Sequence, residues 1–225
     1  MNLRYKLFIF DIDGTLTSTN RLIFDSFNHI YDKYFGKTLS PKEVIALFGP
    51  TEEEIIHELF GADAEEAIVE YFNYYEKNHG IAALHEGIAP LLEFLEINGA
   101  HIAAFTGKGR RSAEITLKEL GIYGRIGILI SGDDVTKKKP SGEGIFKILR
   151  HFNVPPGEAI MIGDSTADIK AAREAGVAVA SVLWDCYSID AVKGMNREML
   201  FSTVDELREH FDQATGKRDD QGLVS

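Results

Sequence analysis

Two kinds of hydrophobic run alternate along the chain. Leu7–Phe10 is an unbroken apolar tetrad that predicts a strand buried on both faces, the pattern of a parallel sheet rather than a half-exposed one. Comparable runs recur at 101–105, 127–130, 159–162 and 177–183. The segments at 86–98, 110–120, 141–152 and 166–175 carry helical spacing instead, and Gly99 supplies a C-terminal stop for the first of them. Strands alternating with helices through short links predict an α/β fold with a doubly wound parallel sheet. A final amphipathic helix is predicted over 203–212, and the polar, aperiodic stretch 214–225 reads as a disordered tail.

The interval 18–82 breaks this rhythm. Leu22, Ile23, Phe27, Ile30, Tyr31 and Tyr34 fall on one face of a helix over 20–34. Ser40-Pro41 reads as an N-cap followed by proline in the first turn. Phe48-Gly49-Pro50-Thr51 is a break, Thr51 to Glu54 has the spacing of a capping box, and a further amphipathic helix spans 64–78. No strand pattern occurs in this interval. The prediction is an all-helical block, 18–82, inserted between two parts (1–17 and 83–213) of one α/β core.

Composition bounds the function. A chain of 225 residues fits one domain with a large insert or two small domains. A net charge of −11 argues against a nucleic-acid binder, and Lys137-Lys138-Lys139 is too short for a phosphate-backbone groove. Cys186 stands alone, which excludes an internal disulfide and fits a reducing cytoplasm. No signal peptide and no membrane span are read, so no membrane partner is expected. The histidines show no metal-ligand spacing, and His101 in an apolar strand reads as structural.

Chemistry concentrates where strands end. The first run stops in Asp11-Ile12-Asp13-Gly14-Thr15. Two carboxylates beyond a buried strand lie where open α/β sheets bind ligands, and a hard divalent cation such as Mg2+ offsets their repulsion. Thr106-Gly107 follows the second strand, offering a hydroxyl and free amides for a phosphate oxygen, although Thr106 also fits a helix N-cap. Lys139-Pro140 supplies an ammonium; Lys138 is the alternative, and a solvated basic turn is the plainer reading of the lysine run. Asp164 follows the strand that ends at Gly163, and Asp168 falls in the next helical turn, where it also suits the helix dipole.

In this order the four segments resemble the motifs of the haloacid dehalogenase (HAD) superfamily of aspartate-nucleophile phosphatases, over both parts of the core. The resemblance implies a Rossmann-like core and phosphoryl transfer through an aspartyl-phosphate. It casts Asp11 as nucleophile, Asp13 as general acid and base, and Thr106, Gly107 and Lys139 as phosphate-binding groups. It gives Mg2+ to Asp11, Asp164 and the Asp13 carbonyl, with Asp168 supporting the metal water or Lys139. Haloalkanoate-cleaving members lack the second aspartate, so Asp13 argues for phosphate esters. The insert resembles the small cap of the phosphoglycolate phosphatase and β-phosphoglucomutase relatives. On that likeness its hinges lie at Thr17 to Asn20 and Leu84 to Glu86, and Arg21, Phe24 and the Phe48-Gly49-Pro50 turn face the core. Arg21 would bind an anionic leaving group, though a surface arginine is the plainer reading. Lys108 resembles a lysine common after the second motif, with Gly107 where asparagine is frequent. The expected reaction is hydrolysis of a small phosphorylated metabolite, phosphoglycolate-like, by a monomer or a homodimer. A sugar phosphomutase, an inorganic pyrophosphatase and a phospho-accepting receiver-like regulator are the alternatives. The helical insert speaks against the receiver.

Overall fold

The computed structural model describes residues 3–216. The chain opens with β1 (Leu7–Phe10) and β2 (Thr17–Ser18), then enters α1 (Asn20–Phe35), α2 (Pro41–Ala46), α3 (Glu52–Phe60) and α4 (Ala64–Lys77). It returns through β3 (Ala83–Leu84) and alternates α5 (Ile88–Ile97), β4 (His101–Phe105), α6 (Arg110–Glu119), β5 (Ile128–Ile130), α7 (Glu143–Phe152), β6 (Ala159–Gly163), α8 (Thr166–Ala175) and β7 (Ala178–Val182). It closes with α9 (Ile189–Met195), β8 (Leu200–Phe201) and α10 (Val204–Gly216). The last helix runs beyond the predicted 212, and the tail expected after it falls, from 217 onward, outside the described residues.

Six strands form one parallel sheet in the order β5-β4-β1-β6-β7-β8. The chain builds outward from β1 in both directions, so β1 lies at the switch point, with Phe10 level with Ala104 on one side and Ile162 on the other. Its apolar tetrad is buried on both faces. Phe8 and Phe10 pack with Leu91, Leu95, Leu207 and Phe211, while Leu7 and Ile9 pack with Phe105, Ile145 and Met161. That double burial is why the strand has no polar alternation. Among the described residues, no helix is long and apolar enough to cross a membrane.

The helical block has its own core of Leu22, Phe27, Ile30, Ile56, Tyr71 and Phe72. Its helices start as their caps dictate. Ser40 and Glu43 form a complete capping box, and the Glu54 carboxylate accepts the Thr51 N–H at 2.8 Å. Helix α1 ends at Gly36, whose positive φ of 61° lets its N–H reach the Asp32 carbonyl. The block joins the core through a two-stranded antiparallel ribbon in which Thr17 pairs with Leu84 and Ser18 with Ala83. This ribbon was not predicted, because two-residue strands carry no periodicity.

Candidate active site

The C-terminal ends of β1, β4 and β6 meet at one crevice, and each delivers a polar group. Asp11 follows β1, Thr106 follows β4 and Asp164 follows β6. All three line one cavity of about 430 Å³ together with Asp13, Gly107 and Lys139. The loop after β1 turns sharply because Gly14 adopts a φ of +81°. A Cβ there would sit 2.7 Å from Asp164 Oδ2, so this position also keeps the carboxylates close.

Lys139 is the cation of this cluster. Its Nζ donates to Asp11 Oδ1 at 2.7 Å and to Asp168 Oδ1 at 2.6 Å, and lies 4.9 Å from the centre of the Phe105 ring. Lys138, the alternative in the sequence, instead pairs with Glu54 of the helical block. Asp168 is fully buried. Its Oδ2 accepts from the Ser165 amide at 3.1 Å and the Ser165 hydroxyl at 2.6 Å, closing a capping box on α8. It is therefore both a helix cap and the group that positions Lys139. Thr106 Oγ1 accepts the Lys108 amide at 3.2 Å.

One oxygen from each of Asp11, Asp164 and Asp168 lies within 4.8 Å of the other two. Burial pushes the Asp11 carboxyl up to about 7, against the pull of Lys139 and with a push from Asp168. Burial, then repulsion from Asp11 and Asp168, raises Asp164 well above the carboxylate range. Three carboxylates facing one ammonium leave uncompensated negative charge among hard oxygen donors. That donor set fits a small divalent cation. Because both Asp168 oxygens are already engaged, Asp11 and Asp164 are the carboxylates with capacity to ligate.

Asp13 turns the other way. Both its oxygens lie 3.2 Å from Lys108 Nζ, and Oδ1 also accepts the Thr19 hydroxyl. Its carboxylate is thus committed to Lys108 and Thr19 rather than to the Asp11, Asp164 and Asp168 cluster. Lys108 is almost wholly buried. Burial works to lower its ammonium, but Asp13, with Tyr75 and Glu52, reverses this and holds it above its ordinary range.

Arg21 is not brought to the site: its side chain is 83% exposed and lies 3.6 Å from Asp25. Asn20, Ile23 and Phe27 share the inward face of α1 and line the cavity, and one residue on from Asn20 the helix has rotated Arg21 toward solvent. Glu52, which the sequence does not single out, is a buried contact between block and core. It accepts the Gly109 amide at 2.7 Å and the Ser112 hydroxyl at 2.6 Å, and lies 3.5 Å from Lys108 Nζ. A Thr-Glu-Glu-Glu helix start gives no signal of which acid turns inward. Glu52→Ala strands these buried donors, so a loss on the order of 2–3 kcal/mol of unfolding free energy is expected by denaturant titration.

The family model described as haloacid dehalogenase-like hydrolase matches residues 8–182. The protein named "Putative pyrophosphatase PpaX" of Caldanaerobacter subterraneus subsp. tengcongensis is 33% identical over 187 residues, covering 82% of this chain and 84% of that protein. The pyrophosphatase PpaX of Bacillus cereus strain Q1 is 29% identical over 177 residues, covering 78% and 82%. A predicted phosphoglycolate phosphatase from Haemophilus somnus superposes with a TM-score of 0.82 at 22% identity, over 92% of this chain and 98% of that one, a likeness of fold.

Proposed function

This chain belongs to the haloacid dehalogenase-like hydrolases and is an enzyme of their phosphatase kind, and we propose that it hydrolyses a small phosphomonoester through a phosphoryl group carried on Asp11, with Mg2+ as cofactor. The observation that carries this reading is the convergence of Asp11, Thr106, Lys139 and Asp164 from separate strand ends and one loop into a single cavity.

In the first step an Asp11 oxygen attacks phosphorus. The P–O bond to the leaving group breaks, and Asp13 gives that oxygen its proton. In the second step Asp13, now ionised, takes a proton from water. The water oxygen attacks phosphorus, Asp11 leaves as a free carboxylate, and inorganic phosphate is released. Lys139 stays beside Asp11 throughout and offsets charge on the transferring group, while Thr106 and the Gly107 amide bind its oxygens. Lys108 and Thr19 hold the Asp13 carboxylate in place. Mg2+ on Asp11, Asp164 and the Asp13 carbonyl would supply further neutralisation of phosphoryl charge. The helical block acts as a cap over this chemistry, hinged at the β2–β3 ribbon.

A second reading, hydrolysis of inorganic pyrophosphate, is favoured by the names of the PpaX relatives. It uses the same residues with phosphate as leaving group. Phosphate release from p-nitrophenyl phosphate, with and without EDTA, tests the shared chemistry. Turnover lost to EDTA and restored by added Mg2+ is expected, and EDTA-insensitive turnover would remove the metal from the account.

A further inference from the structure

The part of the cavity wall that the helical block supplies is largely apolar. The helical block builds it from Ile23, Phe27, Ile45, Phe48, Pro50 and Ile55. Its polar contributions are Asn20 and Glu52, and both are already bonded to the core, Asn20 through Asp185 at 3.1 Å and Glu52 through Gly109 and Ser112. Among the described residues, the block sends no cation into the cavity. The two lysines that line it, Lys108 and Lys139, come from the core, and carboxylates engage the Nζ of each. At the rim, Phe48 and Tyr187 stay 43% and 52% exposed, each with its ring centre 6.3 Å from that of Phe24. Large aromatic surface left facing solvent at the edge of a pocket marks a site that contacts something apolar.

Size points the same way. At a water's share of about 30 Å³ per heavy atom, a five-atom phosphate group fills roughly 150 Å³. The cavity of about 430 Å³ exceeds what a phosphate group alone fills and leaves room for a leaving group.

Resting on the phosphatase reading above, we infer that the leaving group is an uncharged, apolar alcohol, an aryl or cyclic aliphatic one, seated against the isoleucine and phenylalanine side chains of the helical block. A carboxylate or second phosphate there would lose its hydration against hydrocarbon, with no free cation to meet it and the Glu52 carboxylate nearby. An apolar ring gains by leaving water on the same wall. The block therefore selects against phosphoglycolate and pyrophosphate by what it omits.

The test is the kcat/KM of the wild-type enzyme for phenyl phosphate, 4-carboxyphenyl phosphate, phosphoglycolate and pyrophosphate. Binding of the stable analogues benzylphosphonate and phosphonoacetate is measured in parallel by calorimetry. Phenyl phosphate is expected to exceed each anionic substrate by roughly 10-fold or more, and benzylphosphonate to bind more tightly than phosphonoacetate by a similar factor. Ile45→Lys, at a half-buried position on the wall, should shrink both ratios. Equal or better turnover of phosphoglycolate or pyrophosphate overturns the inference and leaves the phosphatase reading standing. Turnover of none of the four removes that reading, and the phosphonate pair then still decides the character of the wall, with tighter phosphonoacetate binding overturning it.

Discussion

Asp11→Asn lowers turnover by roughly 10⁴-fold or more and leaves the fold intact, by analogy with the loss of a nucleophile elsewhere. The amide has the shape of the carboxylate but no anionic oxygen to attack phosphorus. Stability should not follow activity downward. Burial holds the Asp11 carboxyl up at about 7 against an ordinary 3.8. A carboxyl raised in this way weakens the folded state as pH climbs from the unfolded value through the folded one, because the unfolded chain ionises first. Removing the charge relieves that penalty. Lys139 keeps its 2.6 Å bond to Asp168. In EDTA at pH 8 the variant should therefore melt at or above the wild-type temperature, while steady-state assays find almost no turnover. A variant that is both inactive and strongly destabilised would assign Asp11 to structure instead.

Asp13→Asn is the second large effect, and its size depends on the leaving group. Proton donation by a positioned carboxyl contributes roughly 10²–10⁴-fold. The donor matters little when the departing oxyanion is already stable, as nitrophenolate is, and much when it is an alkoxide. The asparagine variant should lose most of its activity on an unactivated alkyl or benzyl phosphate and considerably less on p-nitrophenyl phosphate. The ratio of the two kcat/KM values, variant against wild type, reads this directly. Equal losses on both would mean that Asp13 positions Lys108 and Thr19 but moves no proton, since both groups contact its carboxylate.

What the sequence made legible was local or one-dimensional. β1 was predicted over 7–10 and is found at Leu7–Phe10, because double burial writes an unbroken apolar run. α8 was predicted over 166–175 and is Thr166–Ala175, because Ser165, Asp168 and Gly176 punctuate both its ends. Asp11 and Asp164 stood out because each follows such a run. The missed features depend on packing between distant segments. β8 at Leu200–Phe201 and the β2–β3 ribbon are too short to show a period, and α9 at Ile189–Met195 has a single buried side chain, Val192. Arg21 was placed by its charge, while the rotation of α1 that exposes it is set by Leu22, Ile23 and Phe27 burying their own face. Glu52 is one of three consecutive glutamates, and only the docking of α3 against the Gly109 amide singles it out. Lys108 could be noted in the sequence, but its pairing with Asp13 across 95 residues could not.

The central claim is that the phosphoryl group passes through Asp11, and trapping it there is the direct test. Wild-type protein and Asp13→Asn, which slows the hydrolytic step, are mixed with p-nitrophenyl phosphate and Mg2+, quenched in acid within milliseconds, and digested for mass spectrometry. The account predicts one phosphoryl group on the peptide containing Asp11, more abundant in the variant and absent from Asp11→Asn. Turnover with no phosphoryl group on that peptide, or with the group on another residue, would contradict it.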